Sequence, residues 1–241
     1  MEVQEAVLST LLVVYASAVL INSLVAGLLW IRQRDELTRA QLFIWASTFG
    51  SLVVQGVAGS TMPLVLVGLT AVFTVSCAIA HLLSVSSGVP VPWRRSFLLL
   101  GLGWAVALFS DFVGLPFFLV TFPLLCGVAF PLLSTAGELL VRHRARLSSS
   151  ELGMVIASLF YGVHMLDFSL LGDKPAWGPF GFSLGLLCIF ALSIFAPAVV
   201  VEKITATTAR TAAEMDAARR IQMQLLPHNP KLPGLELACY M

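Results

Sequence analysis

Charge is what this 241-residue chain has least of. Only 11% of its residues are Asp, Glu, Lys or Arg, against about 25% in an average soluble domain. A water-soluble fold of this composition would leave far more apolar surface exposed than water tolerates. That excludes an ordinary cytosolic enzyme and a disordered chain. The formal net charge of +1 supplies no field to draw in polyanions, which excludes a nucleic-acid-binding module. Cysteine is sparse too: Cys77, Cys126, Cys188 and Cys239 form no C-x-x-C pair. The first three lie in apolar runs, as small buried hydrophobes do. Lysine is missing from every apolar run, since Lys174, Lys203 and Lys231 all fall outside them. A retinal Schiff base requires a core lysine, so a microbial rhodopsin is excluded. No H-E-x-x-H or G-x-S-x-G occurs in the runs either.

What the chain has instead is hydrophobicity, at 58% of residues and a mean hydropathy of +0.93. A helix of about 20 apolar residues crosses the hydrocarbon core. Seven runs qualify: 7–31, 40–57, 63–85, 96–113, 116–141, 152–171 and 179–201. The expected fold class is all-α, a polytopic seven-helix transmembrane bundle with a C-terminal cytoplasmic signalling helix. The first run is too long for a signal peptide, starts acidic at Glu2 and Glu5, and has no A-x-A site before the next span. It reads as a true first helix. Pro123, Pro131 and Pro197 fall inside runs five and seven and predict kinks there. Trp30, Trp93 and Trp177, near span ends, read as interfacial anchors.

Cation placement orients the bundle. Thirteen of the fourteen Lys and Arg residues fall on one side of a seven-span alternation; Lys174 alone falls on the other. The positive-inside rule then predicts a multi-pass protein of the cell inner membrane, with its N-terminus outside and its C-terminus cytoplasmic.

Beyond the last run the composition turns Ala-, Thr- and charge-rich, without Gly or Pro from Glu202 to Leu226. This predicts a helix. A weak heptad seam through Ile204, Thr208, Thr211, Met215, Ala218, Gln222 and Leu225 suggests a homodimer through residues 202–226. Pro227 stops the helix, and Pro230 and Pro233 keep the next stretch extended. The division expected is a sensor domain over 1–201, a linker helix over 202–226 and the start of another domain over 227–241.

That tail carries one recognisable pattern. Ala218, Ile221, Gln222, Leu225, Leu226 and Pro227 spell A-x-x-I-Q-x-x-L-L-P, and Pro233, Gly234, Leu235, Glu236, Leu237 and Ala238 continue as P-G-L-E-L-A. The stretch resembles the lead-in to SpoIIE/RsbU-type bacterial serine/threonine phosphatases of the metal-dependent phosphatase 2C superfamily. The resemblance covers about 28 residues. It implies a metal-dependent phosphatase domain acting on a phosphoserine or phosphothreonine protein, often an anti-sigma-factor antagonist, with Mn²⁺ or Mg²⁺ held by aspartates in a G-G-D-Y-Y-D-like motif. That motif does not occur before Met241. The expectation is that residues 1–241 alone hold no cofactor and are inactive, since nothing in them would activate water between two hard cations.

Ionisable groups inside spans are costly and mark function or interhelical bonding. Run six holds Tyr161, His164 and Asp167; the last two are three apart and share a helix face. Tyr15, Gln55 and Asp111 lie toward the same outer side, so these six residues form a candidate pocket for an unknown small-molecule or proton stimulus. The alternative is a hydrogen-bonded knot that orders the bundle. Nearer the cytoplasm, His81 and Glu138 are expected to pair with each other or with Arg94, Arg95 or Arg142. No residue set predicts a metal or haem site. The function that results is a membrane sensor regulating a cytoplasmic SpoIIE-type phosphatase. A transporter or channel with a regulatory tail is the alternative reading, and a lipid-directed enzyme using His164 and Asp167 a third.

Overall fold

Seven membrane-length α-helices account for nearly all of the described chain. The computed structural model describes residues 2–57, 61–171 and 177–225. The helices are α1 (Glu2–Gln33), α2 (Glu36–Val57), α3 (Met62–Ser87), α4 (Trp93–Val113), α5 (Phe117–Arg142), α6 (Ser149–Leu171) and α7 (Trp177–Leu225). One short 3₁₀ turn, Arg144–Arg146, lies between α5 and α6. All seven α-helices are long and apolar enough to cross a membrane. This is the architecture of a multi-pass membrane protein.

The polar residues between the runs set the helix ends. Asp35 precedes α2, and its carboxylate accepts from the Thr38 backbone N–H at 2.7 Å and the Thr38 hydroxyl at 2.6 Å. Arg34 reaches the left-handed region at φ 54° to make that tight reversal. Ser148 and Glu151 form a reciprocal capping box at the start of α6: Glu151 N–H donates to Ser148 Oγ at 3.2 Å, and Ser148 N–H to Glu151 Oε2 at 3.0 Å. Between α4 and α5, Gly114 takes φ 76°, and Leu115 N–H returns to Ser110 C=O at 2.9 Å. This is a Schellman closure, and it accomplishes the short reversal between Asp111 and Pro116.

The chain divides into two units, Met1–Val200 and Val201–Met241. Within the first, α2 packs on α1 and α3, α5 on α3, α4 and α6, and α3 also meets α6. Large side chains buried to within 2% of complete, among them Trp45, Leu82, Leu124, Leu132 and Met154, mark the centre of the bundle on α2, α3, α5 and α6. Small residues allow the closest approach. A Cβ on Gly103 would lie 2.7 Å from the Pro123 carbonyl oxygen, and one on Gly127 would lie 2.8 Å from the Leu100 Cα, so α4 and α5 meet backbone to backbone. In the second unit α7 continues helical to Leu225, with Arg210 paired to Glu214 at 2.8 Å and Met215, Ile221 and Met223 exposed. No helix end separates residue 201 from residue 202. The composition change there falls inside one continuous helix.

Candidate functional site

Helix α6 supplies the centre of the site. Tyr161, His164 and Asp167 occupy successive turns of one face, because residues three apart stack along an α-helix. His164 Nδ1 lies 2.7 Å from Asp167 Oδ2, and both side chains are partly buried. With Asp167 ionised, Nδ1–H is the donor. The aspartate then orients the imidazole and leaves Nε2 as the outward-facing nitrogen. Nε2 has no hydrogen-bond partner among the described residues. It points at α7, where a Cβ added to Gly185 would stand 3.1 Å away. The absence of a side chain at Gly185 makes room for the ring.

Two more helices close the seam. Tyr15 of α1 packs its ring on Phe182 of α7, with centroids 5.7 Å apart. Tyr161 of α6 and Cys188 of α7 are both buried. One turn to two turns further along, Asn22 Nδ2 donates to Ser193 Oγ at 3.0 Å and ties α1 to α7. The result is a polar strip between α1, α6 and α7. It carries an oriented imidazole, a carboxylate, two phenols and a thiol.

Comparison with protein-family models, with curated proteins and with solved structures finds no match to this chain.

Of the six pocket residues expected from the sequence, the structure pairs His164 with Asp167, carries Tyr161 on the same helix, and packs Tyr15 on Phe182 of α7, the helix whose Gly185 faces His164. It does not gather the other two. Gln55 is exposed and donates to Ser51 Oγ of its own helix at 2.9 Å. Asp111 sits on α4, which packs on α5 and reaches α3 through Phe97 against Phe73 and Trp104 bonded to Thr70. The Asp111 carboxylate makes no hydrogen bond or ion pair among the described residues. Glu138 pairs with Arg142 at 3.3 Å. His81 stands 6.4 Å from the Trp93 ring and lines a groove of about 310 Å³ with Arg39, Ala40 and Phe43. Ala218, Ile221 and Gln222 of the phosphatase-like pattern are exposed on α7, and Leu225 is its last helical residue. Leu226, Pro227, Pro233 and Gly234, with all of 227–241, lie outside the described residues. Among the described residues no three His, Cys, Asp or Glu side chains gather as a metal site would require.

Sequence reasoning passed over Asn22 and Ser193, and read Cys188 only as a small buried hydrophobe, which it is. An Asn inside an apolar run was the available signal, since such residues bond across helices in lipid. It also passed over a set of buried polar atoms without partners among the described residues: Gln41 Oε1 and Trp45 Nε1 on α2, Thr135 Oγ1 on α5 and Ser158 Oγ on α6. Burial decides that set, and burial depends on neighbours.

Proposed function

We propose that this chain is a membrane sensor whose α1–α6–α7 seam receives a stimulus and whose α7 helix carries it to a cytoplasmic SpoIIE-type protein phosphatase. One observation supports the reading above the others. The helix that lines the seam with Gly185 and Cys188 is the same helix that carries Ala218, Ile221 and Gln222, unbroken from Trp177 to Leu225. A continuous helix transmits rotation or tilt along its length, whereas a flexible linker would dissipate it. The stimulus is a small polar molecule or a proton acting at His164 and Asp167. Ligand binding shifts the population of two bundle arrangements. The N-terminus outside and the C-terminus in the cytoplasm follow from cation placement. Exposed Met215, on the heptad frame of residues 204–225, offers a second copy of the chain a contact, so the proposed working unit is a homodimer. The substrate is a phosphoprotein, and Mn²⁺ or Mg²⁺ belongs to the phosphatase domain.

The test joins residues 1–241 in frame to a SpoIIE-type phosphatase domain in lipid vesicles and measures Mn²⁺-dependent phosphate release from a phosphoserine protein. Candidate ligands and pH are varied, for the parent chain, for Asp167→Asn and for a Gly-Pro-Gly insertion after Thr208. Coupling predicts a response in the parent that Asp167→Asn alters and the insertion abolishes while basal activity persists. Identical response curves for all three overturn it. Solute flux through the same vesicles, with no change in phosphatase output, would establish the transporter reading instead.

A further inference from the structure

We propose that the groove beside Arg94 and Arg95 binds the head group of an anionic phospholipid. The groove has a volume of about 390 Å³ and is lined by Arg94, Arg95, Leu98, Leu99 and Phe130. The two arginines stand in the first turn of α4 and the apolar side chains of α4 and α5 follow a turn further on, the two chemistries of a phospholipid in the order a lipid presents them.

The depth of the arginines is the first argument. The His81 and Trp93 rings are 6.4 Å apart, so α4 starts level with His81. From there α3 runs on to Ser87, about 9 Å further at 1.5 Å per residue. On the other flank Gly127 of α5 meets the backbone of Leu99 and Leu100. Measured from that contact, α5 extends to Arg142 while α4 returns only to Trp93. The end of α5 therefore stands about 12 Å beyond the start of α4. The connection over residues 88–92 folds back into the bundle with Val89 and Val91 buried. Arg94 and Arg95 thus lie inside the rim formed by the ends of α3 and α5.

Charge is the second argument. Neither arginine has a carboxylate within ion-pairing distance among the described residues, and the first turn of α4 contains no acidic residue and no capping side chain. Two cations beside the positive end of a helix dipole repel it and are repelled by it. A phosphate resolves that conflict, since the guanidinium fork matches its oxygens. Both arginines are exposed and open to a lipid, and Leu98 and Phe130 continue the groove toward the acyl chains. Basic pockets between membrane helices bind anionic head groups on this principle. The site is separate from the α1–α6–α7 seam and does not depend on the sensor reading.

Native mass spectrometry of the detergent-solubilised chain, titrated with phosphatidylglycerol or phosphatidylcholine, tests it. One phosphatidylglycerol should bind in preference to phosphatidylcholine, with about fivefold in affinity from each arginine. R94Q/R95Q should remove that preference. R144Q/R146Q, an equal loss of charge on the Arg144–Arg146 turn, should leave it. Equal loss in the two double variants would reduce the effect to diffuse charge and overturn the site, as would the absence of any preference in the parent. Loss of the bound lipid to millimolar inorganic phosphate would also overturn it, by making the site one for soluble anions. If R94Q/R95Q does not fold, Leu98→Glu places a carboxylate on the exposed wall of the groove. It should weaken phosphatidylglycerol alone; unchanged binding there sinks the proposal.

Discussion

His164 Nδ1 and Asp167 Oδ2 lie 2.7 Å apart on α6, with the imidazole held edge-on to the gap at Gly185 of α7. The pair is local in sequence, yet the space its imidazole occupies is set by a second helix. Asp167→Asn keeps the shape and most of the hydrogen bonding and removes the charge. If the bond contributes as interhelical and intrahelical polar contacts in membranes generally do, the variant folds with a stability loss of about 1 kcal/mol. Titration with SDS from a mild detergent measures it. A loss of about 3 kcal/mol or more would mean that an uncompensated buried charge is left behind, and that the pair is a structural element first.

Gly185 should tolerate no side chain without moving His164. Gly103 is a stricter case, because its neighbour is backbone. Gly103→Ala drives a methyl into the Pro123 carbonyl at 2.7 Å and should destabilise the bundle by about 1–3 kcal/mol. Gly101→Ala, two residues away with nothing within 4 Å, should stabilise by about 0.5–1 kcal/mol through helix propensity alone. Opposite signs in the same unfolding assay are the expected result; matching signs would show that α4 and α5 are not in backbone contact.

The α1–α7 tie is measurable as a coupling. Asn22→Leu and Ser193→Ala, singly and together, should give an interaction energy of about 0.6 kcal/mol in a double-mutant cycle. Strict additivity would mean that the 3.0 Å bond does not hold the two helices together.

Orientation is open to chemical labelling. In a background without Cys77, Cys126, Cys188 and Cys239, Glu2→Cys and Asp173→Cys should react with an impermeant maleimide added to intact cells, and Arg144→Cys should react only after lysis. The reverse pattern would invert the topology that the cation distribution predicts.

Much of this architecture is legible in the sequence because hydropathy reports transfer into lipid, and each span must satisfy its own backbone. The seven helices therefore announce themselves one at a time. The breaks are legible for the same local reason: Asp35, Ser148 and Gly114 act within a turn of where they stand. So is the pairing of His164 with Asp167, since a spacing of three on a helix leaves little choice of face.

Neighbour relations are another matter. All seven spans are apolar enough for the bilayer, and hydropathy does not say which of them touch. Packing decides it, through small residues such as Gly103, Gly127 and Gly185 that admit a particular partner. The sequence by itself determined that there are seven helices, where they stop, and which polar residues share a face. Only the tertiary structure brought Tyr15 against Phe182 and Gly185 against His164, turned Gln55 back onto Ser51, left Asp111 on α4 outside the seam, and set Arg94 and Arg95 about 9–12 Å inside the rim. A helix's depth and partners are properties of the interface it forms, and no single segment encodes an interface alone.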